Sequence, residues 1–160
     1  LELNKPYDED FAIPAKDFED PAEGVDVLSI GYPMTGFLGN DKPVITQGII
    51  SKVFDDEKGV FLTTTDINSG NSGGPIINLN GKLVGVSVAT LDKIRIMLET
   101  GNIPTSMGIA IKSNMLKEVF KHKRTVPISK AKYDKASIYQ KMLPSVVFVA
   151  VEIDQEWKKL

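Results

Sequence analysis

The chain has 160 residues, 42% of them hydrophobic and 25% charged, with a formal net charge of −2 at pH 7. These values are typical of one globular domain, and the small negative charge gives no reason to expect nucleic acid or an anionic membrane as a partner. The longest apolar runs fall well short of the ~20 residues that cross a bilayer. With no cysteine and one histidine, the sequence offers no disulfide and no zinc ligand set, and no cofactor is predicted.

The first 24 residues are rich in Asp, Glu, Pro and Lys, and they predict an extended connector lying on a surface. From residue 25 onwards, short apolar runs alternate with turn residues. Strands are predicted over residues 25–32, 44–53, 60–65, 75–78, 83–89 and 107–111, with a loop over residues 36–41. Asn80-Gly81 is expected to supply the positive φ angles of a hairpin turn between the fourth and fifth strands. Several short strands at roughly ten-residue spacing indicate a β barrel or sandwich.

The C-terminal third changes to a helical pattern. Residues 113–121 place Met115, Leu116, Val119 and Phe120 on one apolar face, which predicts a helix. A basic linker follows over residues 125–132, and then a second short helix over about residues 134–142. Pro144 ends that helix, and residues 145–153 form a strand-like run.

One serine lies in a glycine-rich turn, Gly-Asn-Ser-Gly-Gly-Pro at residues 70–75. Glycine on both sides lets the backbone fold closely around Ser72, so that neighbouring N–H groups can point at the oxygen of a carbonyl that this serine attacks. The turn also satisfies the Gly-x-Ser-x-Gly pattern of α/β-hydrolases, which requires a helix directly after the serine. The residues that follow predict a hairpin instead, so an α/β-hydrolase-type esterase ranks as a distant third alternative.

The turn resembles the active-serine region of the chymotrypsin-like serine proteases, most closely their HtrA/Deg branch. Three further segments resemble that branch in the same order: Ile-Gly-Tyr-Pro at 30–33, Thr-Gln-Gly-Ile-Ile-Ser at 46–51 and Met-Gly-Ile-Ala-Ile-Lys-Ser-Asn-Met at 107–115. The resemblance implies an all-β fold. We expect a single six-stranded antiparallel Greek-key barrel, equivalent to the C-terminal barrel of a trypsin-like protease, with a C-terminal helix and a helix–strand tail.

The resemblance also implies roles for the residues of the turn. Ser72 corresponds to the nucleophile, and the segment Gly70, Asn71 and Ser72 corresponds to the oxyanion hole, with the N–H groups of Gly70 and Ser72 as its donors. Asn71 stands where digestive proteases have an aspartate that binds a freed N-terminus. Because asparagine forms no such ion pair, activation by N-terminal processing is not expected.

Substrate-binding residues are implied in the same way. Val88, Ala89 and Thr90 align with the strand edge that pairs with the substrate main chain. Asp66 and Gly108 align with the primary specificity pocket, where a carboxylate would favour a basic substrate side chain. The alternative for Asp66 is a plain turn residue.

In this family a histidine and an aspartate on an earlier barrel precede the serine in the chain. We therefore expect residues 1–24 to be an inter-barrel connector, residues 25–124 the C-terminal barrel and its helix, and residues 125–160 a linker and tail. The catalytic base that activates Ser72 would come from a missing N-terminal barrel. His122, the one histidine of the chain, follows the terminal helix and does not correspond to it. The parent would be a serine endopeptidase acting on polypeptides, and this chain alone would be nearly inactive.

Three further expectations accompany this one. A half-protease exposes an apolar face, which predicts a homo-oligomer. The resemblance alone favours a bacterial envelope, periplasmic or secreted. The tail, with a helix followed by Pro-Ser-Val-Val at 144–147, resembles the opening of an HtrA-type protease domain, so it either begins a second domain or packs on the barrel. The rival function is a catalytically degenerate module that binds peptides or proteins on the same fold.

Overall fold

Six strands form one closed antiparallel barrel. The computed structural model of the chain describes residues 18–38, 42–54, 59–90, 101, 107–116 and 134–147. The order around the barrel is β1-β2-β3-β6-β5-β4, and β4 closes onto β1. Because β3 pairs with the distant β6, the connection is of the Greek-key type. The strands are β1 Asp26–Gly31, β2 Val44–Val53, β3 Val60–Thr63, β4 Pro75–Asn78, β5 Leu83–Thr90 and β6 Gly108–Lys112.

The predicted all-β barrel is confirmed, and each strand end lies within two residues of its predicted position. The hairpin between β4 and β5 differs in detail, since Gly81 has a positive φ of 74° and Asn80 does not. The side chain of Asn78 closes this turn instead, because its Oδ1 atom accepts from the N–H groups of Asn80 and Lys82, both at 3.0 Å. The side-chain hydrogen bonds of Asn78 thus stabilise the turn without a positive φ angle at Asn80.

Within the described residues, three short α-helices accompany the barrel: α1 Thr35–Leu38, α2 Ser113–Leu116 and α3 Lys135–Met142, the last continuing into a 3₁₀ helix, Leu143–Ser145. The sequence predicted a loop where α1 begins. There the carbonyl of Met34 accepts from the N–H groups of Phe37 and Leu38 and closes one helical turn. The second predicted helix is found at α3, whose N-cap is Asp134. The rest of the helix predicted over residues 113–121, and the strand-like run beyond residue 147, lie outside the described residues.

The apolar side chains of the strands divide into two clusters, because successive residues of a strand point to opposite faces. The interior cluster fills the barrel and consists of Val27, Ile50, Phe61, Ile67, Ile76, Val84 and Ala110. The outer cluster covers one outside face and contains Leu28, Ile30, Ile77 and Leu83 together with Ile138, Met142 and Val146 of the tail. All four residues of β4 are buried, since both of its faces are covered.

The tail is therefore part of the packed structure over residues 134–147. Ile138 is fully buried and Met142 is only 4% exposed, although α3 is the last α-helix among the described residues. The hydroxyl of Tyr139 donates to the carbonyl of Pro43 at 2.5 Å, and Lys135 donates to the side chain of Gln47. These contacts hold α3 across the end of the barrel that bears the serine turn. None of the helices in the described residues has the length and apolar character needed to span a membrane.

Candidate active site at Ser72

The serine turn follows β3 and leads directly into β4. Two successive tight turns shape it, because Asn71 N–H donates to the carbonyl of Asn68 and Gly74 N–H donates to the carbonyl of Asn71, both at 2.9 Å. Gly70 has a φ of 99°, and a Cβ atom there would lie 2.1 Å from the carbonyl oxygen of Tyr32. Only glycine meets both conditions. The backbone conformation at the serine thus depends directly on the sequence.

Hydrogen bonds fix the turn from both sides. On the β1 side, the N–H groups of Tyr32 and Met34 donate to the carbonyls of Gly70 and Ser69, at 3.3 and 3.1 Å. On the β5 side, Gly73 N–H donates to the carbonyl of Ser87 at 2.8 Å, and Ser87 N–H donates to the carbonyl of Gly74 at 2.9 Å. The hydroxyl of Ser87, which is buried, also lies 3.1 Å from the Gly74 carbonyl. The turn is therefore held in place before any substrate binds.

The Ser72 side chain is exposed on this rigid turn. Its hydroxyl donates to the carbonyl oxygen of Val88 at 2.6 Å. A main-chain carbonyl orients a hydroxyl but cannot accept its proton during a reaction, so this contact does not activate the serine. The part of the chain that the structure describes contains no histidine, and His122 lies outside it. The site thus presents an exposed serine hydroxyl with no base among the residues that the structure describes.

The three residues predicted for the oxyanion hole differ in their hydrogen bonding. The N–H of Asn71 donates to the Asn68 carbonyl. In contrast, the N–H groups of Gly70 and Ser72 have no acceptor among the described residues. Main-chain N–H groups beside a nucleophile that lack an acceptor can bind the oxyanion of a tetrahedral intermediate. Among the described residues, both predicted N–H donors remain available for this role.

Asn71 itself is a buried residue below the turn. Its side chain is 2% exposed, and its Nδ2 atom donates to the carbonyl of Asp66 at 3.1 Å. Its Oδ1 atom has no hydrogen-bond donor within the described residues, and it faces the Cα atom of Gly31. As a neutral side chain it holds the loop before the serine without an ion pair.

The two residues predicted for the specificity pocket differ in exposure, since Asp66 is exposed and Gly108 is buried. The carbonyl of Asp66 also accepts from the Thr46 hydroxyl at 3.2 Å. The next residue, Ile67, is 2% exposed, and its Cδ1 atom lies 2.4 Å from where a Cβ atom of Gly108 would stand. The sequence analysis did not name Ile67. An apolar residue inside a polar loop could have indicated that Ile67 is buried. Its contact with Gly108 could not be predicted, because the two residues are 41 positions apart in the chain.

The segment predicted to pair with a substrate, residues 88–90, lies at the end of β5. At the end of β5, Ala89 pairs with Ile109 and Thr90 pairs with Gly108, on the neighbouring strand β6. Val88, whose carbonyl accepts from Ser72, precedes them. The structure therefore brings Ser72, the end of β5 and Gly108 into one region.

A cleft of about 360 Å³ opens on the other side of Ser72. One wall is the serine turn, a second is the end of β1, and a third comes from the tail. The wall from the tail was not predicted, because no local sequence pattern indicates that residues 145–147 meet the serine turn. The lining residues are Gly31, Tyr32, Gly70, Ser72, Gly73, Gly74, Pro75, Ser145, Val146 and Val147.

Comparison with known families agrees with this geometry. Residues 1–86 match the family model described as a trypsin-like peptidase domain. The match covers more than half of the chain, and the chain belongs to this family.

Its curated relatives come from the HtrA/Deg branch. The periplasmic serine endoprotease DegP of Salmonella typhimurium is 36% identical over 98 residues, which cover 58% of this chain and 18% of the relative. The serine protease Do-like HtrA of Bacillus subtilis is 32% identical over 114 residues, or 64% of this chain and 23% of the relative. A crystal structure of a serine endoprotease from Yersinia pestis is 34% identical with a TM-score of 0.49, covering 63% of this chain and 31% of that one. The chain thus spans less than a third of each protein.

Proposed function

We propose that this chain is the nucleophile-bearing barrel of an HtrA/Deg-like serine endopeptidase, and that Ser72 forms the acyl-enzyme. The observation that carries the proposal is the serine turn itself. It exposes the Ser72 hydroxyl beside two main-chain N–H groups, of Gly70 and Ser72, that lack acceptors among the described residues. The family match and the names of the relatives support the same chemistry.

The reaction follows from this arrangement. The Ser72 oxygen attacks the carbonyl carbon of the scissile peptide bond, and its proton passes to a base. The oxyanion of the tetrahedral intermediate accepts hydrogen bonds from Gly70 and Ser72 N–H, an interaction whose single donors are worth about 10²–10³ in rate. The C–N bond then breaks as the base returns the proton to the amine, and water hydrolyses the ester. For this step the hydroxyl would donate to the base instead of to the Val88 carbonyl, which a rotation of the O–H bond allows.

The substrate would bind as an extended strand along the end of β5, at Val88, Ala89 and Thr90. Its side chain before the scissile bond would enter the pocket beside Gly108. Ile67, which is buried, contacts that glycine, whereas the carboxylate of Asp66 belongs to an exposed residue. We therefore propose a preference for small apolar side chains in place of the basic preference that Asp66 predicted.

The proposed division of the chain keeps residues 1–24 as a connector, 25–124 as the serine barrel and 125–160 as linker and tail. The base and its orienting carboxylate would come from a second barrel of a longer protein, so this chain alone would be nearly inactive. DegP is a periplasmic enzyme by name, which supports an envelope location by resemblance. The exposed apolar side chains of Met34, Phe37 and Leu38 next to the serine turn support association with a partner barrel or a second copy.

A rival function is that of a catalytically degenerate peptide-binding module. One observation favours it, namely that the Val88 carbonyl accepts from Ser72 while no base lies among the described residues. A fluorophosphonate probe separates the two, because it reacts with activated serines. The longer protein should be labelled at Ser72, whereas the Ser72→Ala variant should not. Ser69→Ala, a change of the same type three residues away, should leave labelling intact. An unlabelled longer protein would reject the enzyme and favour the binding module.

A further inference from the structure

The cleft beside Ser72 has one wall that the barrel does not supply. Ser145, Val146 and Val147 of the tail face the serine turn across it. Val146 is 7% exposed and belongs to the outer hydrophobic cluster, which fixes the segment to the barrel. Val147, the next residue, is 55% exposed. The tail thus presents an anchored backbone with an accessible apolar side chain at the rim of the cleft.

This wall is held from several directions. The hydroxyl of Tyr32, at the end of β1, donates to the carbonyl of Val146 at 3.5 Å. Earlier in the tail, Ile138 and Met142 are buried against the outside of β1 and β4. A surface fixed by packing on this scale keeps its shape when a ligand arrives, so the ligand loses less free energy in ordering it.

The position of the cleft in the barrel order decides what it can bind. In that order β4, which follows Ser72, lies between β5 and β1. The Val88 carbonyl and the proposed substrate edge are on the β5 side, and the cleft is on the β1 side. An extended peptide that lies along β5 and crosses Ser72 must therefore leave towards the cleft. The substrate residues that pass Ser72 and reach the cleft are those after the scissile bond, which belong to the leaving group.

We propose that this cleft binds the leaving-group side of a polypeptide substrate, and that Val147 determines a preference for an apolar side chain there. The inference rests on the proposed function of Ser72. Tyr32, Pro75 and Val147 supply apolar surface, and the open space above the Cα atom of Gly73 admits the peptide main chain. A charged side chain would lose hydration against these residues without gaining a partner.

Peptide affinity tests this inference without turnover. One labelled peptide ends at the residue before the scissile bond. A second continues with four residues beginning with leucine, and a third continues with four beginning with aspartate. Their dissociation constants are measured by fluorescence anisotropy on this chain, on Val147→Asp and on Met115→Asp. Met115 is a matched control, because it is 42% exposed and contacts Gly59 on a different part of the barrel.

The leucine peptide should bind about tenfold more tightly than the short peptide, as burial of one apolar side chain allows. Val147→Asp should remove most of that gain and leave the affinity of the short peptide within about twofold, while Met115→Asp should change neither. Equal affinity of the original chain and Val147→Asp for the leucine peptide would overturn the inference, as would equal binding of the leucine and aspartate peptides. Labelling of Ser72 in the longer protein would survive either result, so the two proposals fail separately.

Discussion

At the level of single residues, the serine turn was predictable from the sequence, and the contact between Ile67 and Gly108 was not. Ser72 could be named because glycines within three residues of it set the backbone of the turn. Ile67 could not, because its contact with Gly108 forms only when β6 closes against β3. The sequence directed attention to the carboxylate of Asp66, whose side chain is exposed. For the side-chain preference of the proposed pocket, a charged residue at an aligned position is weaker evidence than the packing of the residue next to it.

This distinction predicts how substitutions change substrate choice. In the longer enzyme, Ile67→Ala should enlarge the pocket and raise kcat/KM for substrates with leucine or phenylalanine before the scissile bond, relative to valine, by about tenfold. Asp66→Asn should leave the relative rates after lysine, arginine and valine within about twofold. A peptide library with one varied position measures both. If Asp66→Asn loses cleavage after lysine or arginine, the carboxylate of Asp66 lies in the specificity pocket and our proposal for the pocket is wrong.

At the level of elements, strands and turns followed from local patterns, and their partners did not. The apolar run of β4 lies in the same place in sequence and structure, but its burial on both faces depends on the tail. A helix was predicted over about residues 134–142, and the structure has α3 there with Asp134 as its N-cap. That α3 docks beside the serine turn depends on contacts across about 100 residues, such as the bond from Tyr139 to Pro43. Long-range contacts of this kind leave no periodic signal.

Capping of α3 gives a pH-dependent prediction. The carboxylate of Asp134 accepts from the N–H of Ser137 at 2.9 Å and from its hydroxyl at 2.8 Å. The bond from the main-chain N–H is the larger cause that lowers the pKa of Asp134. Since the pKa in the folded state lies below the unfolded value of about 3.9, the stabilisation is present above that value and is lost as the pH falls through the folded pKa.

Asp134→Ala should accordingly lower the melting temperature by a few degrees at pH 7, and the difference from the original chain should shrink towards pH 2.5. Asp134→Ser keeps a capping oxygen without a carboxyl group, so its melting temperature should stay close to the original at pH 7. Thermal unfolding followed by circular dichroism gives all three values. A difference that is the same at both pH values would show that the cap does not depend on the ionised carboxylate.

At the level of the whole molecule, our proposal assigns only part of a reaction centre to this barrel. The serine turn, the proposed oxyanion hole and the substrate edge all lie on one closed barrel, and the described residues include no base. The relatives that share this barrel are at least three times longer than the matched segments. A second barrel in a longer protein is the simplest source of the base, because family members place it there. The exposed apolar side chains near the serine turn are consistent with such a neighbour.

The most direct measurement of this account is the rate of peptide-bond hydrolysis by the longer protein. We predict that Ser72→Ala lowers kcat/KM on an unfolded polypeptide by at least about 10⁴-fold, because no other group replaces the nucleophile. Ser69→Ala should retain the original value within about twofold. A Ser72→Ala variant that keeps more than about a tenth of the activity would contradict the assignment of this serine.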